Sequence, residues 1–541
     1  MAMQKRDLPI GVQSFRDLRQ MGFVYVDKTP YIRKLLSGKF YFLSRPRRFG
    51  KSLFLSTLKA YFLGQKELFD GLALAQDELT LAAAEEREAW IEYPVFYLDL
   101  NTEEYKGGED LQRILHLHLS HWESLYGKEP AEDSLASRFN GVIRRACAKR
   151  GRQVVILIDE YDKPLLNSVV DPELYEQFRS MLSAFYSNIK SCGEYIRFVF
   201  LTGVSRFGKL TIFSGLNNLE DISMRAAYAG ICGITEAELI TNLAQEIEAM
   251  AEELALSHEE TLALLKKRYD GYLFTRRKEY VYNPFSLLNV LKSQELGDYW
   301  YATGTPTFLV KYLQSRRFFL PALEKDVELG EEDLQISPID TQDPIPILFQ
   351  TGYLTLKEYI ASRGVYSLGF PNEEVKYGFM KNLLSGYSSK VLSVSTEIAA
   401  FLREIAVGDV DAVMHRLEAI IGGIPYDNMA KEVVKYRERD AEVAVYLVFS
   451  LMGQYAETEV HTLIGRADAV VHTESAIYVF EFKLSDRCTP EEALAQIEAK
   501  GYATRYQSSG KQLILIGVTF DPEKRNIGAW AFSRWRDSDS H

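Results

Sequence analysis

The sequence has no paired cysteines, no long apolar run and no excess of positive charge, and each absence narrows what it can be. Its four cysteines, Cys147, Cys192, Cys232 and Cys488, lie far apart with no CxxC spacing. That pattern excludes a zinc knuckle or a disulfide scaffold and predicts reduced thiols in a cytoplasmic protein. Nowhere do about 18 uncharged apolar residues follow one another, so no segment predicts a membrane span. The opening MAMQKRDLPIGVQSF also lacks an apolar core of signal-peptide length. With 63 Lys and Arg against 75 Asp and Glu, the net charge of −12 excludes a surface that is basic all over. Contact with nucleic acid would need a local basic groove or metal ions that screen the phosphates. What remains is an ordinary folded composition, 47% hydrophobic and 26% charged, in a chain of 541 residues. That length suits about three domains.

One stretch organises the rest: Phe40 to Lys59, FYFLSRPRRFGKSLFLSTLK. Phe40 to Leu43 predicts a buried strand, and an arginine-rich turn then leads through Gly50-Lys51-Ser52 into an apolar-periodic helix. The stretch resembles a phosphate-binding loop. Gly50 lets the backbone turn tightly and present N–H groups, Lys51 reaches the β and γ phosphates, and Ser52 holds Mg²⁺ at the helix N-terminus. One fixed position of G-x-x-x-x-G-K-[ST] is missing, because Arg45 replaces the first glycine and Pro46 follows it. Taken alone, the loop leaves a solvated basic turn open as the alternative.

Upstream, VYVDKTPYIRKLL joins a short strand to a helix, and Asp27 and Lys28 read as a turn with a helix start in preference to contacts with a base. Downstream, Glu78 to Trp90 predicts an acidic helix, Tyr93 to Leu100 a second apolar strand, and Arg144 to Arg152 a basic helix leading into VVILIDEYD. Val154 to Ile158 is the continuous apolar run that a parallel sheet buries on both faces. Asp159 and Glu160 emerge at its end. Such a strand resembles a Walker B element, with Asp159 holding Mg²⁺ through water and Glu160 orienting and activating the attacking water. A strand intervenes between the two motifs, as in the branch of P-loop ATPases that inserts an extra strand and supplies its own glutamate. Tyr195 to Val204, YIRFVFLTGV, predicts the fourth strand. Its end nominates Thr202 or Ser205 as a polar sensor near the γ-phosphate and Arg206 as a charge clamp. The nearby Gly208-Lys209 echoes the loop, but Leu210 takes the place of the Mg²⁺-binding hydroxyl, so the echo reads as chance.

Beyond Asp221 the pattern is helical. Thr235 with Glu238 predicts a capping box opening a helix through Met250, and Glu259 to Arg268 predicts another. VYNPFSLLNVL, GTPTFLVKYL and FQTGYLTL add small helical units with an occasional hairpin. Together they suggest a lid or winged-helix-like module of the kind that closes over nucleotide. Tyr269, Tyr272, Phe274, Trp300 and Tyr301 read as buried core in preference to a stacking surface for bases.

In the last third, Thr396 to Ile421 predicts two helices and Glu432 to Met452 a long amphipathic one. A strand then ends near Asp468 to Val471, a turn follows at His472 to Ser475, and a second strand runs from Ile477 to Leu484. Alternation puts Glu481 and Lys483 on one face of that strand with Phe482 on the other. A Glu and a Lys on an otherwise apolar strand are costly unless they serve a purpose. Metal-assisted phosphodiester hydrolysis is the purpose inferred: Asp468 and Glu481 converge on Mg²⁺, and Lys483 holds the attacking water or the transition-state charge. The alternative is a surface ion pair.

Asp468 followed by Glu481-Phe482-Lys483 resembles the PD-(D/E)XK nucleases, with Gly465-Arg466 a variant of the usual approach to the Asp. That resemblance implies support from Gln496 and Tyr502 and a helix-borne acid at Glu438, with Glu442 one turn away left open. LPIGVQSFRDL, YVDKTPYI, RPRRFGKSL, LIDEYDKP, TGVSRFGKLTIFSGLNNLED, YDGY, GRAD and EFK together resemble bacterial AAA-ATPase-like proteins with a C-terminal PD-(D/E)XK nuclease domain. In that family Arg at Arg45 is usual. The resemblance implies an α/β chain of three parts. These are a P-loop ATPase over 1–222, a helical, winged-helix-like module over 223–390 and a restriction-endonuclease-like domain over 391–541. It implies ATP and Mg²⁺ bound through Arg45, Arg47, Arg48, Gly50, Lys51, Ser52, Asp159, Ser205 and Arg206, hydrolysis by Glu160, and cleavage of nucleic acid, DNA first, through Asp468, Glu481 and Lys483. Arg47, Arg48 and Arg206 are each eligible as an arginine finger, in cis or from a second copy. The second reading is a nucleotide-switched regulatory or DNA-binding protein whose nuclease-like domain binds without cutting.

Overall fold

In a computed structural model of the chain, the apolar runs become the inner strands of two separate sheets. The structure describes residues 6–101, 104–169, 171–206, 218–302, 309, 312–313, 323, 327–336, 341, 343–387, 394–422, 446–451, 457–460, 469–473, 475–501, 506, 509–521, 523–524 and 526–535. These form two compact units, one of Met1–Arg316 with Asp326–Val375 and one of Arg317–Lys325 with Lys376–His541.

The first unit is built on five parallel strands: β1 (Phe40–Ser44), β2 (Val95–Asp99), β3 (Val154–Asp159), β4 (Ile196–Gly203) and β5 (Glu220–Asp221). They lie in the order β2-β3-β4-β1-β5, so β4 separates β1 from β3. Strands β1 and β3 are buried throughout, while β2 alternates, as an edge strand should. Helix α1 (Lys51–Phe62) covers one face, where Phe54 meets Phe200 and Phe62 meets Phe198. Helices α2 (Gly108–Tyr126), α3 (Leu135–Arg150) and α4 (Pro172–Ser191) cover the other. There Trp122 stacks on Phe96 at 4.6 Å and Phe185 on Phe139 at 4.4 Å.

The middle segment packs α5 (Ala244–Leu254), α6 (His258–Tyr269) and α7 (Pro284–Ser293) around Leu239, Leu243, Ile247, Met250 and Leu287. The capping box of Thr235 and Glu238 forms, but the helix it opens stops at Asn242. Leu243 leaves helical geometry at φ −125° and is itself fully buried, and a new helix then starts. The acidic helix predicted over Glu78 to Trp90 is also displaced, to Ala73–Ala84. Glu78 is buried, and the chain after Ala84 curls back so that Arg87 and the Trp90 N–H reach its carboxylate. Burial of that charge ends the helix early. A short antiparallel pair, β6 (Ile234–Thr235) and β7 (Val281–Tyr282), and a three-stranded antiparallel sheet, β8 (Val327–Gly330), β9 (Thr355–Ile360) and β10 (Val365–Gly369), complete this segment with helix α8 (Ile345–Thr351). Tyr269, Tyr272, Phe274 and Trp300 are buried, as core aromatics should be.

The second unit pairs helices α9 (Val394–Val407) and α10 (Val410–Gly422) with a sheet in sequential order: β11 (Glu457–Val460), β12 (Ala469–His472), β13 (Ala476–Leu484), β14 (Gln512–Asp521) and β15 (Asn526–Trp535). Only β13 and β14 are parallel, and helix α11 (Pro490–Ala499) is the crossover between them. The long helix predicted over Glu432 to Met452 lies mostly outside the described residues. All four cysteines are free. Among the described residues, no helix is long and apolar enough to cross a membrane.

Candidate functional site

Three strand ends of the first sheet meet at one edge. The chain leaves β1 into the loop Arg45 to Gly50, where Gly50 adopts φ +90°, a conformation only glycine enters without cost. A Cβ added there would meet open space, so the N-terminus of α1 faces a free volume. Lys51 is buried, and its Nζ donates to the carbonyls of Arg45 and Pro46 at 3.0 Å each. The ammonium thus spans the inside of the loop.

At the end of β3, Asp159 is buried. Burial pushes its carboxyl up to about 6, against a Ser52 hydrogen bond and the charge of Lys51, which pull it down. Its Oδ1 accepts from the Glu160 N–H at 3.1 Å and its Oδ2 lies 3.4 Å from the Tyr97 hydroxyl. Glu160 follows at φ +48°, a left-handed conformation that costs a non-glycine residue about 1 kcal/mol. In β4, Leu201 pairs with Ile158, so the next residue, Thr202, stands beside Asp159 on the face that α1 covers. The Thr202 hydroxyl is fully buried and has no hydrogen-bond partner among the described residues. Lys51, Ser52, Asp159 and Thr202 therefore gather around one space, and a hydrated divalent cation with a phosphate fits that donor set.

The arginines do something else. Arg45, expected to touch nucleotide, is 1% exposed and donates to the carbonyls of Ser44, Ser223 and Tyr228, with its guanidinium 4.3 Å over the Phe274 ring. Burial lowers its basicity to about 10. It is an anchor for the outside of the loop. The outward side of the loop is held elsewhere too. The Trp300 indole donates to the Arg47 carbonyl at 3.1 Å, Arg48 lies over Phe285, and Phe49 packs edge-on to Tyr272 and Phe274. A Cβ on Gly352 would collide with Pro46 at 2.5 Å. Arg206, expected as a charge clamp, is buried against Asp221 at 3.7 Å, and its Nε donates to Ser44. The Ser205 hydroxyl, expected as a sensor, donates to Asp162. Among the described residues only Thr202 of the two sensor candidates keeps an unpaired hydroxyl, because Ser205 is spent on a neighbour three residues past Asp159. Asp27 and Lys28 form a turn and a partly buried ion pair, Asp27 capping Thr29 and Lys28 meeting Glu238 at 2.7 Å.

The second unit carries its own cluster. Alternation along β13 places Glu481 and Lys483 together, with Nζ 2.7 Å from Glu481 Oε1. Gln496, on α11, donates to the same oxygen at 2.8 Å. Glu481 Oε2 is buried and has no donor among the described residues. A half-satisfied carboxylate, buried beside a lysine, fits a cation ligand. Phe482 points away and packs on Phe449 and Phe480. Asp468, Glu438, Glu442, Tyr502, Gly465-Arg466 and Gly208-Lys209 lie outside the described residues.

Two residues escaped the sequence reading. Asp162, the third acid of IDEYD, was signalled only by its place in that string. Gly517 on β14 pairs with Glu481, and a Cβ there would strike the Pro490 carbonyl at 2.2 Å. Its bareness lets α11 lie close enough for Gln496 to reach Glu481, and a lone glycine in a strand is its only sequence trace.

Residues 9–213 match the family model described as Predicted AAA-ATPase, and residues 436–530 match that of the PD-(D/E)XK nuclease superfamily. The chain is 35% identical to an uncharacterized protein in the vnfD 5' region of Azotobacter chroococcum mcd 1, over 532 residues covering 97% of this chain and 98% of that protein.

Proposed function

The chain belongs to the family of predicted AAA-ATPases that carry a PD-(D/E)XK nuclease-superfamily domain, and from that premise we propose a two-site enzyme: an ATPase that gates a metal-dependent nuclease acting on DNA. One observation carries the reading. Each unit holds a buried carboxylate near a strand end beside a lysine, Asp159 with Lys51 and Glu481 with Lys483.

In the first site Gly50 and the N-terminus of α1 offer backbone N–H groups to phosphate. Lys51 exchanges its two carbonyl partners for phosphate oxygens, and Ser52 and Asp159 are the residues that would hold Mg²⁺. Glu160 takes the proton of the attacking water, and Thr202 donates its hydroxyl to the terminal phosphate. In the second site Glu481 and Asp468 would hold Mg²⁺, Lys483 holds the attacking water, and Gln496 keeps Glu481 in its rotamer. A bound Mg²⁺ supplies, at each site, neutralisation of charge on the phosphate oxygens.

The test is cleavage of a panel of DNA and RNA by the full chain with Mg²⁺, with and without ATP, beside Lys51→Ala and Glu481→Gln. The expected result is cleavage abolished in Glu481→Gln and stripped of its ATP response in Lys51→Ala. ATP turnover without any cleavage would instead favour a nucleotide-switched protein whose second unit binds without cutting.

A further inference from the structure

We propose that Asp162 is a positioning residue for the ATPase site: its carboxylate locks the turn after β4 onto the turn after β3 and so fixes Thr202 and Glu160 around Asp159. The proposal rests on the nucleotide reading above and adds a residue to it.

Asp162 is 1% exposed, yet among the described residues it makes no ion pair. It accepts instead from the N–H groups of Val204 and Ser205 and from the Ser205 hydroxyl. A buried carboxylate stabilised chiefly by hydrogen bonds is costly to install, and three convergent donors, helped by the charge of Lys51, are what makes it tolerable. The contact is reciprocal. Tyr161 donates its N–H to the Thr202 carbonyl at 3.2 Å and its hydroxyl to the Ser205 carbonyl at 3.0 Å. Five hydrogen bonds thus join residues 161–162 to residues 202–205. Gly203 is bare for the same reason, since a Cβ there would lie 2.4 Å from Asp162 Oδ1 and 2.6 Å from the Tyr161 ring.

What the lock holds is the pair of residues that need exact placement. Thr202 immediately precedes the clamped turn, and among the described residues its hydroxyl has no hydrogen bond of its own to fix it. Glu160 sits at a left-handed φ directly before Tyr161, a conformation that persists only when its surroundings impose it. Loosening the lock frees both without removing any group proposed to touch phosphate. Arg206, next after the turn, is held separately by Gln350, which accepts its N–H at 3.0 Å. The turn therefore stays anchored downstream when Asp162 is changed.

The test uses the full chain with Asp162→Asn and Ser205→Ala, and reads three quantities. These are affinity for a non-hydrolysable ATP analogue with Mg²⁺, ATP turnover, and hydrogen exchange in peptides covering 200–206. Asp162→Asn should bind the analogue within about threefold of the natural protein, lose about tenfold or more in turnover, and exchange faster at Val204 and Ser205. Ser205→Ala removes one donor of three and should lose about two- to fivefold in turnover at unchanged affinity. That variant carries the test if Asp162→Asn does not fold. Turnover unchanged in Ser205→Ala, or turnover and affinity falling together in step with the folded fraction, overturns the positioning role. A natural protein that fails to bind the analogue would sink the nucleotide reading itself, before any substitution is compared, and the lock would then have nothing to position.

Discussion

Lys483 Nζ and Glu481 Oε1 stand 2.7 Å apart on adjacent same-face positions of β13, and Gln496 donates to that same oxygen, so Oε2 is left buried with no donor among the described residues. Deleting the cation strands a buried carboxylate, whereas neutralising the carboxylate removes the cost of burying it. Lys483→Ala is expected to lose about 2 kcal/mol of stability, and Glu481→Gln to be near neutral or stabilising. Both should abolish Mg²⁺-dependent cleavage. Urea unfolding run beside the cleavage assay checks this, and equal destabilisation by the two variants would contradict it.

Asp159 gives a pH signature. Its folded pKa, about 6, lies above the ordinary Asp value, so the folded state binds the proton more tightly than the unfolded one. The stability this supplies is complete below about pH 4 and is lost as pH rises through about 6, a change of about 3 kcal/mol. Asp159→Asn removes the loss. It should melt higher than the natural protein at pH 8 and nearly level with it at pH 4, in the absence of nucleotide. Binding of Mg²⁺ and nucleotide should run the other way in the natural protein, strengthening from pH 5 to pH 7 as the carboxyl ionises.

Restoring the missing glycine should harm the protein. In Arg45→Gly the carbonyls of Ser223 and Tyr228 lose their donor and a cavity opens beneath Phe274. A loss of about 3 kcal/mol is expected, with weaker nucleotide binding because the loop loses its outer anchor. Thermal melting and analogue titration measure both, and tighter binding in Arg45→Gly would show that the loop needs flexibility more than anchoring.

Gly517→Ala tests the second site from behind. The added Cβ meets backbone at 2.2 Å from Pro490 O and 2.5 Å from Leu494 N, so α11 must move. A cost of about 2–3 kcal/mol is expected. Gln496 should leave Glu481, and cleavage should drop even at temperatures where the variant stays folded. Activity per folded molecule equal to that of the natural protein would separate the packing of α11 from the chemistry.

Much of this was written locally. The apolar runs at Phe40, Val154 and Ile196 declared a parallel sheet because strands buried on both faces need no polar alternation. The box at Thr235 with Glu238 declared a helix start because a cap is satisfied within four residues. The period of two along β13 was enough to bring Lys483 to Glu481.

Tertiary structure decided where the buried polar groups spend their hydrogen bonds. Arg45 reads as a phosphate contact in a linear motif, yet its partners Ser223 and Tyr228 lie 178 and 183 residues away. Ser205 and Thr202 are equal candidates on a strand end until Asp162, 43 residues back, takes one hydroxyl and leaves the other. The sequence by itself determined the strands, the caps and the residue types each site would need, because those follow from short-range periodicity and hydrogen bonding. Which of those residues remain open to a ligand was decided only by the fold, because a buried donor must be paired and its partner arrives from a distant part of the chain.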